Sequence, residues 1–230
     1  MKLTRNFALL STLVLLGSSA FSAEVIVPAG ISAFHQGDSL SDRGSSLRVI
    51  DGSGMSRPDL NDPATWTVTS TAWADDWQGF AAPAPNRNWA VIDLGSSSSL
   101  DRMYLWNVQE PNALDRGTQT FNVWHTNSPA LPVPATSASV TPYDFNSGGW
   151  ARVNDNPFEL AVGSGNGDQG QNYDVSGASG SRFIGIEILT NYGSTQRVGL
   201  AEVAFVTPEP SSSLLIALGG MFAFLRRRRS

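Results

Sequence analysis

With 230 residues, the chain is long enough for one domain of ordinary size once its two ends are set aside. Residues 24–207 hold nine arginines, no lysine and 19 acidic residues, and this formal charge of −10 argues against nucleic acid as a partner. The chain has no cysteine, which excludes disulfides, thiolate metal sites and a cysteine nucleophile.

The N-terminal residues have the three parts of a secretory signal peptide. Lys2 and Arg5 precede the apolar run 7–16, and the small-residue stretch 17–23 follows. Residues 1–23 are therefore predicted to be a signal peptide that is cleaved after Ala20 or Ser22. An uncleaved N-terminal anchor is the alternative.

The middle of the chain is rich in short strand-like stretches separated by loop-forming residues. Segments 183–189 and 203–206 are almost continuously apolar, as expected of strands covered on both faces. Segments 129–142 and 163–180 are rich in Gly, Ser, Asn and Pro and are predicted to be loops. Strands are predicted at 47–50, 88–94, 102–107, 120–125, 182–189 and 200–206. The pattern predicts an all-β fold, an antiparallel β-sandwich over residues 24–206.

Four blocks in this segment carry a family resemblance. They are Val49-Ile50-Asp51-Gly52-Ser53-Gly54, Trp89-Ala90-Val91-Ile92-Asp93-Leu94-Gly95, Arg182-Phe183-Ile184-Gly185-Ile186-Glu187 and Val198-Gly199-Leu200-Ala201-Glu202-Val203-Ala204-Phe205. In this order they resemble the discoidin-like, or coagulation factor 5/8 type C, galactose-binding-like domain. The resemblance implies a jelly-roll sandwich, and another lectin-like sandwich is the alternative.

The same resemblance implies a structural calcium ion between the Asp-Gly loop and the closing strand. By that resemblance Asp51 and Glu202 would give carboxylate oxygens, while Gly54 and Thr71, or the neighbouring Ser70, would add carbonyl or hydroxyl oxygens. Such hard oxygen ligands suit Ca²⁺. The alternative is that Asp51 caps a turn and that Glu202 pairs with an arginine.

Two polar and aromatic groups are candidates for binding a sugar, because aromatic rings and polar side chains together recognise pyranoses. The first group contains Trp73, Trp77 and Phe80, interleaved with Asp75, Asp76 and Gln78, and the second contains Asn107, Gln109, Glu110, Asn112 and Arg116. Within them Trp73, Trp77, Asn107, Glu110 and Arg116 are the predicted contacts with the sugar. In the alternative interpretation these side chains belong to the core or shape the loops.

Catalytic signals are thin. His35 and His125 lie far apart, and neither belongs to a His-Glu-x-x-His motif. The Gly-x-Gly-x-x-Gly match at 165–170 follows no clear strand and opens no helix, so it does not predict a nucleotide site. We therefore expect a protein that is not an enzyme, although a polysaccharide-acting enzyme with a carboxylate pair in a cleft remains an alternative.

The C-terminal residues 207–230 have the order of a sorting signal. Pro208-Glu209-Pro210 is followed by the mainly apolar segment 214–225 and by Arg226, Arg227, Arg228 and Arg229. Twelve helical residues rise only about 18 Å, against a hydrocarbon core of about 30 Å. The tail resembles the PEP-CTERM sorting signal, also called an ice-binding protein C-terminal domain. The alternative is a permanent single-span anchor.

The resemblance of the tail implies processing by an exosortase-type membrane enzyme and release to the cell surface or exopolysaccharide matrix after a transient stay in the membrane. Together with the sandwich, it predicts an exported carbohydrate-binding protein without catalytic activity. The alternative is a structural or adhesive matrix protein that makes protein contacts.

Overall fold

Fifteen strands and five short 3-10 helices lie in the residues that the computed structural model describes, which are 23–34, 46–80, 88–129, 138–139 and 143–209. The strands are β1 (Val25–Ile26), β2 (Gly30–Phe34), β3 (Met55–Ser56), β4 (Thr67–Val68), β5 (Trp77–Phe80), β6 (Asn88–Ser98), β7 (Arg102–Trp106), β8 (Thr118–Thr126), β9 (Ala138–Ser139), β10 (Ala151–Arg152), β11 (Phe158–Glu159), β12 (Gln171–Asp174), β13 (Ser181–Asn191), β14 (Arg197–Leu200) and β15 (Glu202–Val206). The helices are Ser46–Val49, Pro63–Thr65, Trp73–Asp75, Leu114–Arg116 and Ser176–Ala178. In these described ranges no helix is long and apolar enough to span a membrane.

Two sheets form the sandwich. The smaller one has the order β1-β15-β7-β12, and the larger one has the order β10-β8-β13-β6-β2-β9, with β11 also paired to β8. All the described pairings between strands are antiparallel except the one between β2 and β9. The predicted antiparallel β-sandwich is confirmed.

The main core lies between the two sheets. Alternate residues of β13, namely Ile184, Ile186 and Ile188, point inward and meet Leu105 and Phe205 of the smaller sheet in one buried cluster. This alternation follows from the two-residue period of a strand, which sends successive side chains to opposite faces.

The outer face of the larger sheet is covered as well. Trp89 and Trp124 on this face pack with Tyr143 and Phe145 from the segment that follows β9. Gly185 is required there, because a Cβ atom at this position would lie 2.2 Å from Cε1 of Phe145. This second cluster explains why the sequence of β13 is apolar on both faces, as predicted.

The outer face of the smaller sheet is covered by the β3–β4 hairpin. Trp66 from this hairpin stacks on Trp106 of β7, with ring centroids 6.0 Å apart, and the guanidinium of Arg57 lies over the Trp66 ring. Every residue of β15 is consequently buried, which agrees with its apolar sequence.

Three predictions of local structure are wrong. The segment 129–142 is not entirely loop, since it contains β9. Residues 47–50 do not form a strand, because Ser46–Val49 is a 3-10 helix that buries only Ser46 and Val49. The segment 163–180 is not entirely loop, since it contains β12. One buried aromatic residue, Tyr173, is sufficient to anchor that strand between polar neighbours.

Candidate functional site

The sandwich has two ends, which we call the terminal pole and the loop pole. Glu202 pairs with Trp106 at one end of the smaller sheet, and Val206 pairs with Arg102 at the other. The terminal pole holds residues 23–25, 101–102 and 206–209, and the loop pole holds the segment 107–117 and the start of β15. Predicted ligand residues on these elements therefore lie at the loop pole, and the sorting motif begins at the opposite end.

Glu202 is a buried carboxylate at the start of β15. The side chain is 2% exposed, and its Oε2 atom has no hydrogen-bond partner. Burial raises the pKa of Glu202 well above its usual range, and the nearby Asp51 adds to this effect, while the Gly52 amide and Arg57 oppose it. A cation beside Oε2 would compensate this buried carboxylate.

Asp51 lies close enough to Glu202 to affect its pKa, as the predicted calcium site requires. Its carboxylate is already engaged, because Oδ2 forms an ion pair with Arg48 at 2.9 Å and Oδ1 accepts the Ser53 amide proton at 2.8 Å. Asp51 therefore caps the turn at residues 51–54 in addition to facing Glu202.

The other predicted calcium ligands lie beside this turn. Gly54 has a φ of +69°, which favours glycine, and its carbonyl oxygen accepts the amide protons of Thr69 and Ser70. The Ser70 hydroxyl donates to Asp75, and Thr71 follows it in the chain with no described contact between its hydroxyl and Glu202.

Within the described ranges no group of three or more His, Asp or Glu side chains is arranged to hold a metal ion. A calcium ion at Glu202 would therefore need backbone carbonyl and hydroxyl oxygens in addition to the carboxylates. The orphaned Oε2 atom meets the need for a carboxylate oxygen, whereas the Asp51 oxygens and the Gly54 carbonyl oxygen already accept hydrogen bonds.

Two of the predicted sugar-binding residues are buried. Trp77 is 0% exposed and belongs to the main core. Asn107 is 2% exposed, and its amide nitrogen donates to the carbonyl oxygens of Thr118 and Ala161, both at 2.8 Å. These side chains hold the loop pole together and expose almost no surface to a ligand.

The remaining three predicted residues lie around Gln78 of β5. The Gln78 side chain donates to Glu110 at 3.2 Å and accepts from Arg116 at 2.9 Å, and Arg116 also pairs with Glu110 at 3.1 Å. Arg197 donates to the Gln78 carbonyl oxygen and lies over the ring of the half-buried Trp73. We call these five residues the Gln78 cluster: the Trp73 ring lies beside Arg197, and the Gln78 side chain holds the ion pair of Glu110 and Arg116.

A second polar network in the loop pole joins Asp76 and Gln109, which the sequence analysis placed in different candidate groups. Asp76 is 2% exposed and accepts the Gln109 amide proton at 2.9 Å. The Gln109 side chain in turn donates to Asp168 and accepts from Gly165. Burial is the largest cause that raises the pKa of Asp76 to about 7, and the nearby Asp75 and Glu110 contribute to the shift. Asp168 was not among the candidates, and nothing in the sequence indicated that these three segments meet.

His125 is the one histidine within the described residues, and its contacts are few. His125 is half-buried, and its Nδ1 atom lies 2.9 Å from the hydroxyl oxygen of the buried Ser181. Burial lowers the pKa of this histidine. His35 lies outside the described residues.

At the terminal pole, Pro208 and Glu209 of the sorting motif are separated from β15 only by Thr207. Pro210, the apolar segment 214–225 and Arg226, Arg227, Arg228 and Arg229 lie outside the described residues, as does the predicted signal peptide apart from Ala23.

Comparison with known proteins finds matches for the C-terminal tail and for the β-sandwich. Residues 206–229 match the PEP-CTERM protein-sorting motif. The F5/8 type C domain of a Bacteroides fragilis protein superposes with a TM-score of 0.53 and 12% identity over 83% of this chain and 99% of that one. A comparison with curated proteins finds no match.

Two further solved structures match with lower scores. The lectin domain of lectinolysin complexed with Lewis B antigen has a TM-score of 0.47 and 16% identity over 81% of this chain and 99% of that one. Chitosan-binding module 1 from a Paenibacillus chitosanase/glucanase has a TM-score of 0.43 and 15% identity over 80% and 97%. The chain thus carries a C-terminal PEP-CTERM sorting motif behind a β-sandwich with the F5/8 type C, discoidin-like fold.

Proposed function

We propose that this chain is an exported carbohydrate-binding protein without catalytic activity, which its PEP-CTERM tail directs to the cell surface or exopolysaccharide matrix. An exosortase-type membrane enzyme would be the processing partner, after a transient stay of the segment 214–225 in the membrane. The observation that carries the binding function is the Gln78 cluster, which combines an aromatic ring with fixed charged groups at the end of the sandwich away from the tail.

The chemistry of the Gln78 cluster suits a sugar ring. The half-buried Trp73 ring would pack on the apolar face of a pyranose, while Arg116 and Glu110 would donate to and accept from its hydroxyl groups. Because Gln78 holds both charged side chains by hydrogen bonds, little conformational entropy would be lost on binding.

A glycan array and the exopolysaccharide of the producing cells provide the test. The full chain is purified in a detergent without a sugar headgroup, which would otherwise compete. We expect saturable, selective binding that weakens at least tenfold in Trp73→Ala and in Arg116→Ala. Binding to none of the glycans by the wild-type chain would refute the proposed function.

Tyr104→Ala is the matched control for this experiment. Tyr104 is also a half-buried aromatic residue, but it lies on β7 towards the terminal pole and stacks on Trp106. Its replacement should leave glycan affinity unchanged, and near-UV circular dichroism of each variant confirms that the sandwich is intact. An equal loss in Tyr104→Ala would show that the Gln78 cluster is not the site.

We further propose that a structural calcium ion is held at the loop pole by Glu202 and Asp51. The Gly54 carbonyl and the hydroxyl of Thr71 or Ser70 are the candidates for the remaining ligands. The ion would neutralise the buried Glu202 and fix the turn at residues 51–54 against β15. The unpartnered Oε2 atom of Glu202 supports this assignment.

The alternative of a structural or adhesive protein would need a large apolar surface for protein contacts. The exposed large apolar residues of the described ranges are Val27, Leu47, Leu60, Val162 and Tyr192. Leu47 lies in a 3-10 helix, and the other four lie in separate loops along the chain. Their distribution does not favour this alternative over glycan binding.

A further inference from the structure

The sorting tail leaves the domain at a fixed point. Val25 of β1 pairs with Val206 of β15, and both Phe205 and Val206 are buried. Beyond the strand, the Glu24 amide donates to the Thr207 hydroxyl at 3.0 Å, and the Thr207 amide donates to the Glu24 carbonyl oxygen at 2.9 Å. The motif therefore begins directly at the edge of the folded domain, without a spacer.

Pro208 and Glu209 also line a cavity in the terminal pole. The cavity has a volume of about 530 Å³. The domain contributes the polar side chains of Asn61, Asp62, Asp101, Arg102 and Tyr104 to its lining. Asp62, Asp101 and Glu209 place three carboxylates in this lining against the single guanidinium of Arg102. The start of the motif and an acidic part of the domain thus form one continuous surface.

Covalent geometry limits how far this surface can lie from the apolar segment. The five peptide steps from Glu209 to Leu214 span at most about 18 Å in any conformation. A headgroup region takes up roughly 6 Å of that distance, and a single helix is about 10 Å across. If the segment 214–225 lies in the membrane, an enzyme that surrounds the motif must therefore also contact the terminal pole.

We propose that the terminal pole is a docking surface for the membrane enzyme that processes the tail. The enzyme then recognises Pro208 and Glu209 together with the acidic domain surface around Asp62 and Asp101. This inference rests on the proposed sorting function. The excess of carboxylates selects a basic surface of the enzyme as the partner, since anionic lipid headgroups would repel it.

A spacer between domain and motif provides the main test. Twelve Gly and Ser residues inserted between Thr207 and Pro208 leave both parts intact and separate them by about 20 Å on average. Processing of the full chain is followed in the producing cells by pulse-chase immunoblotting, with mass spectrometry of the new C-terminus. We expect processing to become at least threefold slower. Unchanged or faster processing would show that the domain is a passive cargo and would overturn the proposal.

A charge test asks whether the carboxylates of the pole take part. The double variant Asp62→Asn with Asp101→Asn keeps the hydrogen-bond acceptors, including the Asp62 oxygen that accepts from Ala64. It should also be processed at least threefold more slowly. The control is Asp115→Asn with Asp155→Asn, two exposed carboxylates away from the cavity, which should be processed at the wild-type rate. Equal rates in the two double variants would contradict an electrostatic docking surface.

Replacement of Pro208, Glu209 and Pro210 by alanine distinguishes a failure of the sorting function from a failure of the docking surface. Continued processing of that variant would refute the sorting function itself. Loss of processing there, combined with normal processing of the spacer variant, would refute only the docking surface.

Discussion

The two poles of the sandwich are built by different means. The loop pole is held by buried polar side chains, among them Asp76, Gln78, Asn107 and Gln109, which are at most 2% exposed. The terminal pole is held by the backbone ladder between β1 and β15, and its polar side chains are largely at the surface. Side-chain replacements should therefore destabilise the loop pole far more than the terminal pole, which leaves the surface of the terminal pole free for recognition.

The largest effect is expected for Asn107→Ala at the loop pole. The change removes the donor to the carbonyl oxygens of the buried Thr118 and of Ala161, and it removes the Oδ1 acceptor of the buried Val108 amide. Groups left without a partner cost about 1–3 kcal/mol each, so the free energy of unfolding should fall by about 3–5 kcal/mol in urea titrations. Asn61→Ala, at the terminal pole, is the control and should change it by less than about 0.5 kcal/mol. Similar losses of unfolding free energy in both variants would show that the two poles do not differ in this way.

A smaller effect is expected from calcium at Glu202. If the ion binds only the folded state, a concentration one hundred times the dissociation constant stabilises it by about 2.7 kcal/mol. Thermal melts of the wild-type chain should therefore shift upward with calcium and return with chelator. Glu202→Gln keeps the size of the side chain and should abolish the shift. A shift that persists in Glu202→Gln would place the ion elsewhere.

Asp76 should give the loop pole a pH dependence. Its pKa is about 7 in the folded protein and near 3.8 in the unfolded chain, because burial disfavours the charge and Asp75 and Glu110 lie nearby. The folded state keeps a proton that the unfolded chain has already lost, so this contribution to stability is complete below about pH 4 and falls as the pH rises to 7. The slope should be about 1 kcal/mol per pH unit, within the limit of about 1.4 for one proton.

Asp76→Asn tests this assignment, because an amide oxygen still accepts from Gln109 but does not titrate. Urea titrations between pH 4 and 7 should show a flatter dependence for the variant than for the wild-type chain. Parallel curves would assign the pH dependence to other carboxylates, such as Glu202, whose pKa is raised in the same direction.

The sequence predicted the sandwich because its central strands are apolar on both faces. β13 and β15 are covered by other parts of the chain on both faces. Their sequences are therefore almost continuously apolar, and this pattern is visible in the sequence alone. The sequence did not predict β12, since only Tyr173 among its four residues is buried. It also missed the helix at Ser46–Val49, where a short apolar run resembles a strand.

The candidate site was only partly predictable. Residue type identified Glu110 and Arg116 as polar residues in a loop, but not that Gln78 joins them. Trp77 and Asn107 looked equally suitable in the sequence, and only the fold shows that they are buried. The partner of a polar side chain depends on contacts between distant segments, such as those from Asn107 to Thr118 and Ala161, which composition and spacing do not encode.

The smallest effect is expected at the terminal pole, for Thr207→Val. The variant loses the hydroxyl that accepts the Glu24 amide proton. Its backbone amide still donates a hydrogen bond to the Glu24 carbonyl oxygen. Because water can replace this exposed hydrogen bond, the free energy of unfolding should fall by only about 0.5 kcal/mol. Hydrogen exchange at the Thr207 amide should nevertheless become faster, since the end of the ladder opens more often. A loss as large as that of Asn107→Ala would show that side chains hold this pole too, and the exit of the tail would then depend on Thr207 instead of the strand pairing.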